Sequence, residues 1–184
     1  SFALQIFAAR EAVFKILAKE SLSIHEKLIV ILDMGSKIQQ CINTDEYDNI
    51  KSVVNDYLKE GIAHTLDETR NLSDSGQFED ISLQQGIRQI LYPYEEMEVL
   101  NPEWEVILKD IIDSLFEQMS DEEYNILNEE FGTYMVSRAY EYRQLLEYLV
   151  FRYFAKSIYD YDFLGKCQML VTNFFVIRQM DIIR

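Results

Sequence analysis

Seven tyrosines, Tyr134, Tyr140, Tyr142, Tyr148, Tyr153, Tyr159 and Tyr161, crowd one part of this 184-residue chain, interleaved with Glu141, Arg143, Glu147 and Arg152. The chemistry open to such a strip is recognition of an amine. An aromatic ring presents a negative face that attracts a protonated or methylated amine within about 6 Å of its centre. The plainer reading is helix packing, with the phenol hydroxyls reaching polar partners. Glu147, Tyr148, Arg152 and Tyr153 are the candidate substrate-binding residues. Arg143 and Glu147 stand four apart, a spacing that pairs on one helix face, whereas Glu147 and Arg152 stand five apart and do not meet. Arg152 interrupts an apolar run and needs a partner wherever it is covered. Replacing it with alanine is therefore expected to destabilise the fold more than an average surface change.

Other catalytic chemistry is sparse. His25 and His64 are the only imidazoles, and neither has a nucleophile or a metal-ligand spacing beside it. Cys41 and Cys167 are the only cysteines, each on an apolar helical segment, where free buried thiols are the default. No CxxC pair is present, so no metal or iron–sulfur site is expected within the chain. There is no phosphate loop, GxGxxG or HExxH, and no Ser–His–Asp set can be assembled. No residue is assigned a catalytic role.

The charge narrows the partners. With 32 acidic and 17 basic residues the formal net charge is −15, which repels phosphate backbones and argues against nucleic acid. A solvated surface is the simplest use of that acidity, and attraction of a basic, lysine-bearing protein is the sharper one. No basic, apolar, small-residue leader opens the chain. The most apolar run, Met169 to Ile177, is nine residues, short of the ~20 that span a membrane. The cytoplasm is the expected compartment.

These residues must be positioned by helices. Six glycines and two prolines leave few turn signals, and no strand alternation or fixed-period repeat is present. The segment Glu141–Asp162, EYRQLLEYLVFRYFAKSIYDYD, holds neither proline nor glycine and is apolar over most of its circumference, so it is expected as a central helix covered on most sides. The fold expected is all-α, an irregular bundle of about seven to eight helices around that buried central helix. Apolar residues at helical spacing place a first helix over Phe2–Lys19. Ser23 and Glu26 cap a second, about Ile24–Ile42, whose Gly35 is a candidate for a close helix crossing. Asn43 or Thr44 is expected to cap a third helix, stopping at Gly61. A polar loop is expected near 64–81, dividing a three-helix unit, 1–63, from a main bundle, 82–184, within a single helical domain over 1–184. A short helix should end before Pro93. Asn101–Pro102 should start another, and Ser120 with Glu123 should cap the next. A kink or short loop is expected near Phe131–Thr133. Both chain ends fall mid-pattern, which is read as a piece of a larger protein.

The block LLEYLVFRYFAKSIYDYDFLGKCQMLVTNFFVIRQM resembles the helical C-terminal region of the flagellin lysine-N-methylase family. The likeness lies in an acidic and aromatic lead-in, then YLV, then the aromatic–basic–aromatic run Phe151–Arg152–Tyr153–Phe154. An Asp-containing break, Tyr159–Asp162, and an apolar helix ending Ile177–Arg178 complete it. LSIHEKLIVILDMGSKIQQ is more loosely similar to that family's earlier helices. The resemblance implies methyl transfer from S-adenosylmethionine to lysines of flagellin, and a cysteine cluster N-terminal to the matched region that binds an iron–sulfur centre. This chain lacks that cluster, so neither cofactor is expected to be bound by this segment alone. Two rival readings stand beside it. One is the ligand-binding or dimerisation domain of a TetR-type regulator, and the other is a non-enzymatic helical interaction module.

Overall fold

The computed structural model describes residues 1–74, 82–95 and 102–183, and within them every regular element is helical. The elements are α1 (Phe2–Leu17), α2 (Ile24–Asn43), α3 (Ile50–Asp56), α4 (Ile62–Asp74), α5 (Leu83–Glu95), α6 (Pro102–Ile112), α7 (Asp121–Met135), α8 (Ala139–Tyr153), α9 (Ser157–Asp160) and α10 (Phe163–Ile183). Short 3-10 or π turns join α3 to α4, α7 to α8 and α8 to α9. Counted as continuous tracts, the described residues form seven helices, in line with the bundle expected.

Local chemistry sets the helix starts. Ser23 Oγ accepts from the Glu26 amide, and Glu26 accepts from the Ser23 amide at 2.8 Å, closing a capping box at α2. Ser120 and Glu123 repeat it at α7. α6 opens on Pro102, while its expected cap Asn101 lies outside the described residues.

Two compact units are present: Ser1–Phe78 with Ala139–Val171, and Glu79–Arg138 with Thr172–Arg184. α8, α9 and the first part of α10 belong with the N-terminal helices, because Leu146, Val150, Phe154, Phe163 and Cys167 are needed to close the core over α1 and α2. In that first unit Ile6, Ala9, Val13 and Ile16 of α1 and Val30, Ile31, Met34 and Ile38 of α2 are fully buried. The Phe154 and Phe163 rings meet edge to face, with centroids 5.4 Å apart. In the second unit Ile87, Leu91, Leu108, Ile111, Leu115, Phe116 and Tyr124 pack with Val176 and Ile182 of α10.

Several expected boundaries move. Residues 64–74 are helical, as α4, rather than loop; residues 75–81 lie outside the described set. α4 buries only Thr65 and Leu66, so its polar composition hid a helix held on one narrow side. Gly61 does not stop the preceding helix. It ends a π turn, Tyr57–Gly61, and α4 follows directly. Asn43 and Thr44 do not cap α3: Thr44 closes α2, its Oγ1 donating to Gln40 O, and a 3-10 turn Tyr47–Asn49 leads into α3. α5 runs through Pro93 to Glu95; a proline in the last turn forfeits one hydrogen bond without unmaking the helix. Gly132 lies inside α7, with open space where a Cβ would stand, and the 3-10 turn falls later, at Val136–Arg138.

Candidate functional site

α8 carries the four candidate residues, and its burial is one-sided. Tyr142, Leu146, Leu149 and Val150 are covered, with Phe154 fully buried just beyond. At about 3.6 residues per turn, Tyr140, Gln144, Tyr148 and Phe151 share the opposite side. Tyr140, Tyr148 and Phe151 are 51%, 58% and 68% exposed, and Arg152 is exposed beside them. The expectation of a central helix covered on most sides is thus corrected on this face. The apolar residues there are an aromatic surface, not core.

That correction settles Arg152. Its guanidinium stands in solvent and has no ion-pair partner among the described residues, so the burial that would have demanded one is absent. With Arg152 exposed, the physical reason for a large cost of removing it is absent.

Glu147 and Tyr153 fall on the two flanks of the exposed face, and each is engaged by a cation of the chain itself. Arg143 Nε stands 3.7 Å from Glu147 Oε1, the i,i+4 pair that the spacing implies. Lys27 of α2 joins this cluster. Burial, and then the charge of Arg143, push its ammonium below the usual lysine range, while Glu147 and Glu20 oppose the shift. Lys156 Nζ lies 5.0 Å from the centre of the Tyr153 ring. Of the four candidates, Tyr148 and Arg152 alone share the outward side, one turn apart.

A second feature escaped the sequence reading. Phe2, Tyr47 and Tyr161 form an aromatic cluster, with Phe2 centroids 4.6 Å from Tyr47 and 5.1 Å from Tyr161, the latter stacked. Tyr161 adopts a left-handed backbone, φ 56°, which ends α9. Gln39 fixes the same corner, donating to Tyr161 O at 2.9 Å and accepting from the amides of Phe163 and Leu164. The Tyr47 hydroxyl donates to Asp45 at 2.6 Å, and that bond pushes its pKa up. The signal available in the sequence was the acidic–aromatic run Asp45–Glu46–Tyr47–Asp48.

Another polar knot sits between α2 and α4. Thr65 donates to Asp33 Oδ2 at 2.7 Å, Tyr57 donates to the same oxygen, and Lys37 Nζ donates to the Tyr57 hydroxyl at 2.7 Å. Burial raises Asp33, but these donors outweigh it and hold the carboxyl below its usual range.

The thiols do not make a redox centre. Cys41 and Cys167 are free, and burial pushes both above the usual thiol range, Cys167 furthest. Two cysteines cannot supply the four thiolates of an iron–sulfur cluster. Among the described residues no group of three or more His, Cys, Asp or Glu side chains is placed to hold a metal.

Fold and surface together define an acidic, all-helical domain that carries an exposed aromatic face on α8. The family model that matches it is the FliB lysine N-methylase C-terminal domain, over residues 10–184, and the chain belongs to that family. No curated protein and no solved structure matches the chain.

Proposed function

We propose that this chain is the C-terminal helical domain of a protein-lysine N-methyltransferase that methylates flagellin with S-adenosylmethionine. The observation that carries the reading is the family match across residues 10–184. S-adenosylmethionine, when bound, supplies an electrophilic methyl group. Among the described residues no cluster of cysteine ligands is present, and the proposal places an iron–sulfur centre in a part of the enzyme other than this domain. The domain itself serves as a docking surface in the cytoplasm. Among the described residues no helix is long and apolar enough to cross a membrane.

Two properties of the domain suit a lysine-bearing substrate. The net charge of −15 draws a basic partner at long range. On arrival, Tyr148, with Tyr140 and Phe151, offers ring faces that no cation of the chain occupies among the described contacts, unlike Tyr153. A regulator's ligand-binding domain gains nothing from these observations.

The test is direct. The intact enzyme is incubated with flagellin and S-adenosylmethionine, and flagellin lysines are read by peptide mass spectrometry. Added methyl groups on lysine are expected. A protein that transfers no methyl group with the donor present contradicts the proposal.

A further inference from the structure

A groove of about 340 Å³ opens between the connection that follows α1 and the start of α4, both in the first unit. Its apolar floor is Leu22, Ile62 and Leu66, and three cations, Lys19, Lys59 and Arg70, line it together with one carboxylate, Asp67. None of these residues belongs to the outward face of α8.

The charges are not equivalent. Arg70 is already held, 3.2 Å from Asp67 and 3.6 Å from Glu26, so its charge is largely matched. Lys19 and Lys59 make no ion pair or side-chain hydrogen bond with any described residue. Asp67 is taken up by Arg70, so two ammonium groups without a partner among the described residues stand over an apolar floor, in a chain where acidic residues outnumber basic ones 32 to 17. Lys59 owes its position to the π turn Tyr57–Gly61, which offsets the side chains after it from a plain α-helical register. That turn is anchored from below, because Tyr57 is buried and its hydroxyl is bonded to Asp33 and Lys37. A wide turn inserted into a helix is a recurrent device for aiming side chains at a ligand.

We propose that this groove binds a small anionic amphiphile: a carboxylate, sulfonate or phosphate monoester carried on an apolar body. The anionic head lies between Lys19 and Lys59, where it recovers Coulomb energy that the chain leaves unused. The apolar body covers Leu22, Ile62 and Leu66. The volume lies at the low end of small-molecule sites, which limits the ligand to a compact one. Neither a free inorganic anion nor a neutral aromatic satisfies both halves.

The experiment is a titration of the 184-residue chain with phenyl phosphate, followed by amide chemical shifts, with inorganic phosphate and phenol titrated separately. Saturable shifts are expected for Lys19, Ser21, Leu22 and Ala63 at dissociation constants of about 1 mM, with weaker responses to either half-ligand. The double variant Lys19→Gln/Lys59→Gln should lower the affinity by about tenfold, the size of two exposed charge contacts. Lys59 is exposed and Lys19 half-buried, so an unchanged amide spectrum elsewhere checks the fold. Shifts no larger than those given by phenol, or an affinity that the double variant leaves unchanged, would overturn the proposal. Absence of saturable shifts below about 10 mM would do so too.

Discussion

Gly35 and Cys167 touch so closely that a Cβ built on Gly35 would stand 2.6 Å from Cys167 Sγ and 3.2 Å from its Cβ. Cys167 is fully buried, so the sulfur has nowhere to retreat. This contact is where α2 and α10 cross, and it explains a glycine in mid-helix despite its cost of ~1 kcal/mol in propensity.

Gly35→Ala should therefore destabilise the chain. The helix gains ~1 kcal/mol in propensity, but overpacking a closed contact costs about 1–3 kcal/mol, so a net loss of up to ~2 kcal/mol is expected. Adding Cys167→Ala should recover part of it, because the two changes share one contact. Urea unfolding of the two single variants and the double variant reads the coupling directly. Additive effects would mean that the contact does not limit the crossing.

The Asp33 knot makes a pH prediction. In the folded chain the Asp33 carboxyl is held below its ordinary value: burial raises it, and the bonds from Tyr57, Thr65 and Lys37 overcome that. Its contribution to stability is thus complete above the unfolded carboxylate pKa and is lost as the pH falls through the lower folded value. Glu26 acts in the same direction, lowered chiefly by the Ser23 amide. Asp33→Ala should cost about 1–3 kcal/mol at neutral pH, because it leaves the largely buried Tyr57 and Thr65 hydroxyls without their acceptor. It should also flatten the acid limb of stability against pH. Denaturation midpoints from pH 7 downward check both effects, and a variant with an unchanged acid limb would remove Asp33 from the account.

The exposed face of α8 and the buried position just beyond its end should respond unequally to truncation. Arg152→Ala is expected to change stability by no more than about 0.5 kcal/mol. Phe154→Ala, at a fully buried position, is expected to cost about 3–5 kcal/mol. Equal costs in thermal or urea unfolding would mean that the exposed face is covered after all.

How far the fold could be read in advance depended on the range of the physics involved. The capping boxes at Ser23 and Ser120 and the Arg143–Glu147 pair are local, set by residues three or four apart, and they were legible. Gly35 was legible as a crossing point because a mid-helix glycine needs a packing reason. The helix over 62–74 was not, since the knot on Asp33 that secures Thr65 joins residues far apart in sequence. Nor was the exposed side of α8. Tyr148 and Phe151 have the same composition whether they face core or solvent, and only the neighbours on the opposite side decide. For the candidate residues the same limit applied: spacing showed that Glu147 could meet Arg143, but not that Lys27 would join them or that Lys156 would sit over Tyr153.

The measurement that tests the central claim most directly is the steady-state kinetics of the intact enzyme on flagellin, for wild type and for Tyr148→Ala/Phe151→Ala. Two exposed ring contacts of roughly 0.5–1 kcal/mol each predict a rise in KM for flagellin of about tenfold. kcat should stay within about twofold, and KM for the methyl donor should not change, since the substitutions remove binding shared by ground and transition states. A KM for flagellin equal to wild type, with transfer intact, would contradict a substrate-docking role for the aromatic face of α8.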